Sequence, residues 1–178
     1  MKNIEDILNT NLTSKTKNLK KGNCVQKKFA TNSPAIYVKK GLLKSYVLDS
    51  KGIEYIYMFA SEGYIIGDIE AMEYDQPAKL YIDCLEDSEV ILFNKEELEN
   101  ELSKEQLVMF NQMLSRRIGR LQRRVLMLMG SPAIDRYQYF LETYPQLPNR
   151  IPQKMIASYL GIAPQTLSTI RNKISNQN

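Results

Sequence analysis

The sequence predicts an α+β protein with a β-rich N-terminal domain, a long middle helix and a small helical domain at the C-terminal end. Short runs with a strand-like pattern occupy residues 22–93. A leucine repeat with a spacing of seven follows at residues 107–128, and two short helical segments joined by a glycine lie at 153–172. The predicted domains are therefore residues 1–102, 103–130 and 131–178.

The β-rich part is identified by alternation and by turn residues. Tyr55, Tyr57 and Phe59 alternate with Ile56 and Met58, and this period of two is typical of a strand. Other runs rich in β-forming residues are 35–38, 42–48, 80–85 and 89–93. Turn-forming residues separate them, and short strands at regular spacing predict a small barrel or a jelly roll.

Helix signals lie on both sides of the strands. Residues 3–12 carry apolar side chains at helical spacing, which predicts a short amphipathic helix. Residues 94–97 and 103–106 each form a capping box, in which a capping residue is followed three positions later by Glu or Gln. The second box is expected to open a long helix that runs to about Met129.

Glycine and proline divide the C-terminal part into further helices. Gly130 is expected to stop the long helix, and Ser131-Pro132 to cap and begin a helix over about 132–144. Pro145 and Pro148 should end that helix, and Pro152 should begin another.

The long helix carries a heptad repeat, in which leucines recur every seven residues and a second register follows four residues later. Its seam consists of Leu107, Asn111, Leu114, Ile118, Leu121, Val125 and Leu128. Leucine at one seam position with β-branched residues at the other favours a parallel two-stranded coiled coil, and Asn111 would fix its register. A homodimer is therefore predicted; the alternative is a helix that packs on its own domain.

Composition excludes several classes of function. The chain has no histidine, which rules out histidine-ligated zinc or haem and histidine-based catalysis. Cys24 and Cys84 are too few for an iron–sulfur cluster. They are expected to be buried, reduced thiols, with a redox pair as the alternative. No cofactor and no metal are therefore predicted. Enzymatic activity is not predicted either, because the carboxylate pairs Glu86-Asp87 and Glu96-Glu97 have the settings of turn and helix-start residues.

The N-terminus and the hydropathy pattern predict a cytoplasmic protein without membrane contact. The first residues are polar and acidic where a signal peptide would be basic and then apolar. No apolar run approaches the roughly 20 residues that span a bilayer.

Charge is distributed unevenly along the chain. Residues 1–102 carry 13 lysines and no arginine against 17 carboxylates, which gives a net charge of −4. Residues 103–178 carry 11 basic residues against 3 carboxylates, which gives +8. The C-terminal part has the electrostatics of a phosphate-binding protein.

The segment 153–172 has the pattern of a helix-turn-helix. A small residue, Ala157, stands where two helices must cross closely, and Gly161 stands four residues later where the turn needs a positive φ. The positions that must be buried are all apolar, namely Ile156, Leu160, Ile162, Leu167 and Ile170. This pattern predicts a DNA-reading motif; the alternative is a structural helical hairpin or a protein-binding module.

The second helix of this motif, about 164–173, should present polar side chains outward. Gln165, Ser168, Thr169 and Asn172 suit contacts with base edges, and Pro164 begins the helix. The residues better placed for phosphates are Arg171, Lys173 and Gln153. Arginines of the long helix, at 116, 117, 120, 123 and 124, are expected to form a solvated face; the alternative is contact with phosphates or with the neighbouring domain.

The predicted order of elements resembles that of the Crp/Fnr family of transcription regulators. The resemblance runs from about Leu19 to Ile174 and is carried by residues 38–44, residues 62–68 and the helix-turn-helix. It implies a cyclic-nucleotide-binding-like double-stranded β-helix, a dimerisation helix and double-stranded DNA as partner, with RNA polymerase as a further partner. The C-terminus resembles a branch common in Bacteroidetes-like bacteria.

Family members that bind cyclic nucleotides have a Gly-Glu pair and, eleven residues after the glycine, an Arg-Ser or Arg-Thr pair. Here Gly67 matches, Asp68 is a shortened version of the glutamate, and the arginine position falls on Ala78, followed by Lys79. Without the guanidinium, the bidentate grip on a cyclic phosphate is missing. Cyclic AMP is therefore not expected; another small effector in this pocket, or none, stays open.

Two further departures concern DNA. The chain reaches only a few residues past the recognition helix, so the β-hairpin wing of many relatives is expected to be absent. Relatives often have Glu and Arg at the positions of Gln165 and Thr169, so the sequence preference should differ. We predict a sequence-specific, homodimeric regulator; the alternatives are a sensor dimer without DNA function and, least favoured, a β-roll enzyme of the cupin kind.

Overall fold

The computed structural model describes residues 16–94, 96, 100 and 102–176. The chain divides into two compact units, one ending at Gln112 and the other beginning at Met113. The predicted helix over residues 3–12 and two of the four residues of the first capping box, 95 and 97, lie outside the described residues.

Strands dominate the described part of the first unit. They are β1 (Thr16–Leu19), β2 (Cys24–Gln26), β3 (Ala35–Lys40), β4 (Leu43–Leu48), β5 (Glu54–Ala60), β6 (Ile65–Ile66), β7 (Tyr81–Cys84) and β8 (Ser88–Phe93). The five predicted runs correspond to β3, β4, β5, β7 and β8, so these predictions are confirmed. The sequence does not predict β1, β2, β6 or the short helix α1 (Ile69–Tyr74) between β6 and β7.

The strands form two antiparallel four-stranded sheets, in the orders β1-β8-β3-β6 and β2-β7-β4-β5. Between them lies an apolar core of fully or almost fully buried side chains: Ile36, Val38, Leu43, Ala60, Ile66, Ile82, Cys84 and Val90. The α+β class and the two-sheet β-domain predicted from the sequence are confirmed.

A β-bulge modifies the predicted alternation of β5. Ser45 pairs with Met58, but the next residue, Tyr46, pairs with Ile56, so Tyr57 is an extra residue in β5. The strict period of two over residues 55–59 is therefore wrong at this point. The bulge moves Ile56 to the face of the sheet that carries Phe59, and both side chains are buried.

Gly41 fits where a side chain would collide with the backbone. Its φ is +102°, and a Cβ at this position would lie 2.7 Å from Ser88 Cα and 2.8 Å from the Asp87 carbonyl oxygen. The turn between β3 and β4 therefore needs glycine for conformation and for space.

A second apolar cluster lies on the other face of the sheet that contains β3. Ala35, Tyr37, Ile91 and Phe93 are buried there, and Phe110 of the long helix packs against them. That helix, α2 (Lys104–Gly130), begins at the predicted capping box. The Gln106 amide donates to Ser103 Oγ at 3.3 Å, and the Ser103 amide donates to Gln106 Oε1 at 2.8 Å, so the box is confirmed.

The second unit contains the rest of α2 and three shorter helices. They are α3 (Ala133–Thr143), α4 (Gln153–Leu160) and α5 (Pro164–Ser175). α3 is close to the predicted 132–144, but the predicted Ser131 cap is wrong. The N-cap residue is Pro132, and no side chain caps the helix, because a proline has no polar side chain to donate or accept.

Aromatic side chains fill the centre of the second unit. The ring of Phe140 lies 5.6 Å from that of Tyr144 and 5.7 Å from that of Tyr159. Leu147, in the 3-10 turn Leu147–Asn149, is fully buried. This core holds α3 and α4 in place and thereby supports the helix pair that follows.

Candidate functional site

The helix pair α4 and α5 has the geometry predicted for residues 153–172. α4 ends at Gly161, which has a φ of 64° in the left-handed region where glycine is favoured. Ala157 is almost fully buried at the helix crossing. Ile156, Leu160, Leu167 and Ile170 are buried as predicted, whereas Ile162 is only half-buried because it lies in the turn.

Helix α5 has one buried and one exposed face. Leu167 and Ile170 face the interior, and Ile174 is half-buried. All the residues predicted to face DNA are exposed except Arg171, which is half-buried; they are Gln153, Pro164, Gln165, Ser168, Thr169, Arg171, Asn172 and Lys173. The structure thus brings the predicted residues of α5 together on one polar surface.

Thr169 is held in one orientation. Its hydroxyl donates to the Gln165 carbonyl oxygen at 3.1 Å, one turn earlier in α5. Because the hydroxyl proton is engaged, Thr169 offers partners its methyl group and an acceptor lone pair. A methyl group at this place suits contact with the methyl group of thymine.

Part of the heptad seam of α2 is exposed in the single chain. Ile118 is 65% exposed, Val125 is 55% exposed and Leu107 is 38% exposed, while Asn111 is also exposed. Leu114, Leu121 and Leu128 are half-buried. Apolar side chains that recur at this spacing on an exposed helix face make a surface suited to a second helix.

The segment that would bind a cyclic phosphate is held together by hydrogen bonds between its own residues. Asp68 is buried at the N-terminus of α1, and its carboxylate accepts from the amides of Ala71 (3.3 Å), Lys79 (2.7 Å) and Leu80 (3.0 Å). One carboxylate therefore ties the start of α1 to the residues before β7. The sequence gives no sign of this role, because the partners lie up to twelve residues away.

Ala78 and Lys79, at the positions of the family's Arg-Ser pair, do not place a cation where a cyclic phosphate would bind. Ala78 is fully buried, its amide donates to the Ala30 carbonyl oxygen, and its own carbonyl oxygen accepts from the Phe29 amide. Lys79 Nζ lies 2.6 Å from Glu70 Oε1 in an exposed ion pair. Gly67 is closely packed, since a Cβ there would lie 3.2 Å from Met72 Sδ.

A cleft of about 680 Å³ lies elsewhere in the first unit. Its walls include Lys17 of β1, the loop before β3, one side of α1 and the end of β8. Gly67, Asp68, Ala78 and Lys79 are not among the residues that line it. The predicted effector pocket and this cleft are therefore different places.

The two thiols have different surroundings. Cys84 is buried, and burial raises its pKa to about 11. Cys24 is exposed, so the prediction of a buried thiol is wrong there, because β2 places it on the outer face of its sheet. Partial burial and the acceptor Asp83 raise the Cys24 pKa, so both thiols are protonated at neutral pH.

In the part of the chain that the structure describes, no group of three or more Cys, Asp or Glu side chains is arranged to hold a metal ion. None of the helices among the described residues is long and apolar enough to cross a membrane.

Several solved structures share this architecture. FixK2 from Bradyrhizobium japonicum is 18% identical, with a TM-score of 0.75 over 91% of this chain and 84% of that protein. A CooA variant from Carboxydothermus hydrogenoformans is 17% identical, with a TM-score of 0.76 over 99% and 85%. A crp/fnr-family transcriptional regulator from Eubacterium rectale is 14% identical, with a TM-score of 0.66 over 99% and 85%.

The fold is therefore that of the Crp/Fnr class of transcription regulators, as the sequence predicts. The family model described as "Cyclic nucleotide-binding domain" matches residues 16–105, just over half of the chain. The chain belongs to the cyclic nucleotide-binding domain family. No curated protein sequence matches the chain.

Proposed function

We propose that the chain is a homodimeric, sequence-specific DNA-binding transcription regulator that reads DNA with α5. The observation that carries the proposal is the polar face of α5, where Gln165, Ser168, Thr169 and Asn172 are exposed opposite the buried Leu167 and Ile170. A helix held by its apolar face and presenting amide and hydroxyl groups suits the major groove. The net charge of +8 over residues 103–178 supports the same partner, because DNA phosphates attract it.

The exposed seam of α2 supports the dimer. Two copies that pair through Leu107, Ile118 and Val125 would remove these apolar side chains from water. A symmetric dimer would then carry two copies of α5 and bind a pseudo-palindrome. RNA polymerase is a further expected partner of such a regulator, and catalysis has no part in the proposal.

The reading face is tested by single alanine substitutions. Gln165→Ala and Thr169→Ala should each cost about 1–3 kcal/mol of binding free energy at the preferred site and relax the choice of one base per half-site. The matched control is Gln138→Ala, which removes the same amide from an exposed position of α3. Fluorescence anisotropy with labelled DNA measures all three. Equal binding by the Gln165, Thr169 and Gln138 variants would show that α5 reads DNA with another face.

Arg171 should behave differently from Gln165. If its guanidinium contacts a phosphate, Arg171→Ala weakens binding to all sequences alike and makes the salt dependence shallower by roughly one unit of slope per subunit. The measurement is binding to sheared genomic DNA over a range of salt concentrations. An unchanged slope would remove Arg171 from the phosphate contacts.

Cyclic AMP is not the effector under this proposal. The amides of Lys79 and Leu80 are already engaged by Asp68, and Ala78 carries no guanidinium. Calorimetry should show no specific binding of cyclic AMP to the wild type, whereas Ala78→Arg, which supplies the missing guanidinium, should improve binding if the cavity is otherwise intact. Lys79→Arg is the control, because its side chain lies beside Glu70 and should not help. Low-micromolar binding by the wild type would contradict this prediction. Another small effector, or none, remains compatible with the proposal.

A further inference from the structure

The C-terminal end of α4 is satisfied by an unusual set of donors. The last four carbonyl groups of a helix have no partner within the helix. In α4, two of the four are met by the turn itself, since the Ile162 amide donates to Ala157 at 3.1 Å and the Gly161 amide donates to Ser158 at 3.2 Å. The remaining two belong to Tyr159 and Leu160.

Arginines from two other helices supply the missing donors. Arg124 of α2 donates from Nη2 to the Tyr159 carbonyl oxygen at 3.1 Å, and its guanidinium carbon lies 4.0 Å from the centre of the Tyr159 ring. Arg136 of α3 donates from Nη1 to the Leu160 carbonyl oxygen at 3.3 Å. Two positive charges thus lie at the negative end of the α4 dipole.

Arg136 also spans the joint between α2 and α3. Its Nε donates to the Ser131 carbonyl oxygen at 3.0 Å, and its Nη2 donates to the Leu128 carbonyl oxygen at 3.1 Å. One planar guanidinium therefore binds the end of α2, the linker and the end of α4 at once. A lysine has the same charge but a single nitrogen without the fixed fork, so it cannot make this set of bonds together.

We propose that Arg124 and Arg136 are positioning residues that fix the helix-turn-helix to the dimerisation helix and thereby set the spacing of the DNA half-sites. The inference rests on the proposed function. In a dimer paired through α2, the place of each α5 relative to the two-fold axis depends on the joint between α2 and the helix pair. If the connection between α2 and the helix pair is rigid, the dimer can bind half-sites at one spacing. If the connection is flexible, the dimer can bind half-sites at several spacings.

The test uses inverted repeats of one selected half-site, with the spacer varied one base pair at a time. The wild type should prefer one spacer by about tenfold or more over its neighbours, because each added base pair rotates and shifts the second half-site. Arg136→Lys and Arg124→Lys should reduce this preference to threefold or less, on the order of a third of the original ratio, while leaving the base choice within a half-site unchanged. The control is Arg123→Lys, at an exposed position next to Arg124; it should keep the wild-type preference.

An unchanged spacer preference in a folded variant that carries both substitutions would overturn the inference. A wild type that binds no inverted repeat would overturn the proposed function instead. In that case, hydrogen exchange tests whether the two arginines hold the end of α4 in place. Amides of residues 158–163 should exchange faster in Arg136→Lys than in Arg123→Lys, and equal rates would contradict the positioning role.

Discussion

Replacing Leu114 and Leu121 by glutamate is expected to convert the dimer into monomers. Both leucines lie in the heptad seam and are half-buried in the single chain, and the neighbouring seam residues Ile118 and Val125 are exposed. Each glutamate would place an uncompensated charge among apolar side chains, at a cost of several kcal/mol. Because every 1.4 kcal/mol is about tenfold in a dissociation constant, the double variant should be monomeric at micromolar concentration.

Sedimentation velocity measures this change, and Leu126→Glu is the matched control. Leu126 is 61% exposed on the same helix but lies outside the seam, so the same substitution there should leave the dimer intact. A double variant that stays dimeric, or a control that dissociates, would show that another face of α2 makes the contact. Loss of the dimer should also remove specific DNA binding, since one α5 contacts only one half-site.

Asp68→Ala is expected to destabilise the first unit by about 2–3 kcal/mol. The substitution leaves the amides of Ala71, Lys79 and Leu80 without their acceptor, and an unsatisfied donor costs about 1–3 kcal/mol where it is buried; the Ala71 bond is buried, and the other two are partly buried. Urea denaturation followed by circular dichroism measures the loss. Glu70→Ala is the control, because Glu70 is exposed and forms its ion pair with Lys79 at the surface.

A loss of less than about 1 kcal/mol in Asp68→Ala would mean that water replaces the carboxylate in this segment. The comparison with Glu70→Ala matters because both substitutions remove one negative charge from the same turn of α1. The difference between them reports the hydrogen bonds to the amides, because the exposed ion pair that Glu70 loses contributes little.

The elements that could be predicted from the sequence are those specified by local patterns. The capping box at Ser103, the glycine at 161 and the apolar spacing of α5 each act within one or two turns of helix, and all three are found. Strands β3, β4 and β8 are recognised because each is a six-residue segment rich in aliphatic or aromatic side chains. By contrast, β1 consists of Thr16–Leu19, which is mostly polar, and becomes a strand only by pairing with β8.

The features that the sequence does not reveal depend on distant partners. In the sequence, Asp68 is only a shortened version of the family's glutamate, and its structural role depends on Leu80, which the fold brings next to it. Arg136 sits in an ordinary helical pattern, while its carbonyl partners come from α2 and α4, up to 24 residues away. The prediction of a solvated face is wrong for Arg124, whose guanidinium donates to the Tyr159 carbonyl oxygen, in line with the alternative of contact with the neighbouring domain. Such long-range hydrogen bonds leave no periodic signal in the chain.

The central claim is that α5 reads DNA in a dimer, and selection of binding sites from a random double-stranded DNA library tests it most directly. The purified wild-type chain should enrich a pseudo-palindrome whose half-sites lie about one helical turn apart, roughly 34 Å, so that both copies of α5 enter the major groove on one side of the duplex. Enrichment of no sequence, at low and at physiological salt alike, would contradict the claim.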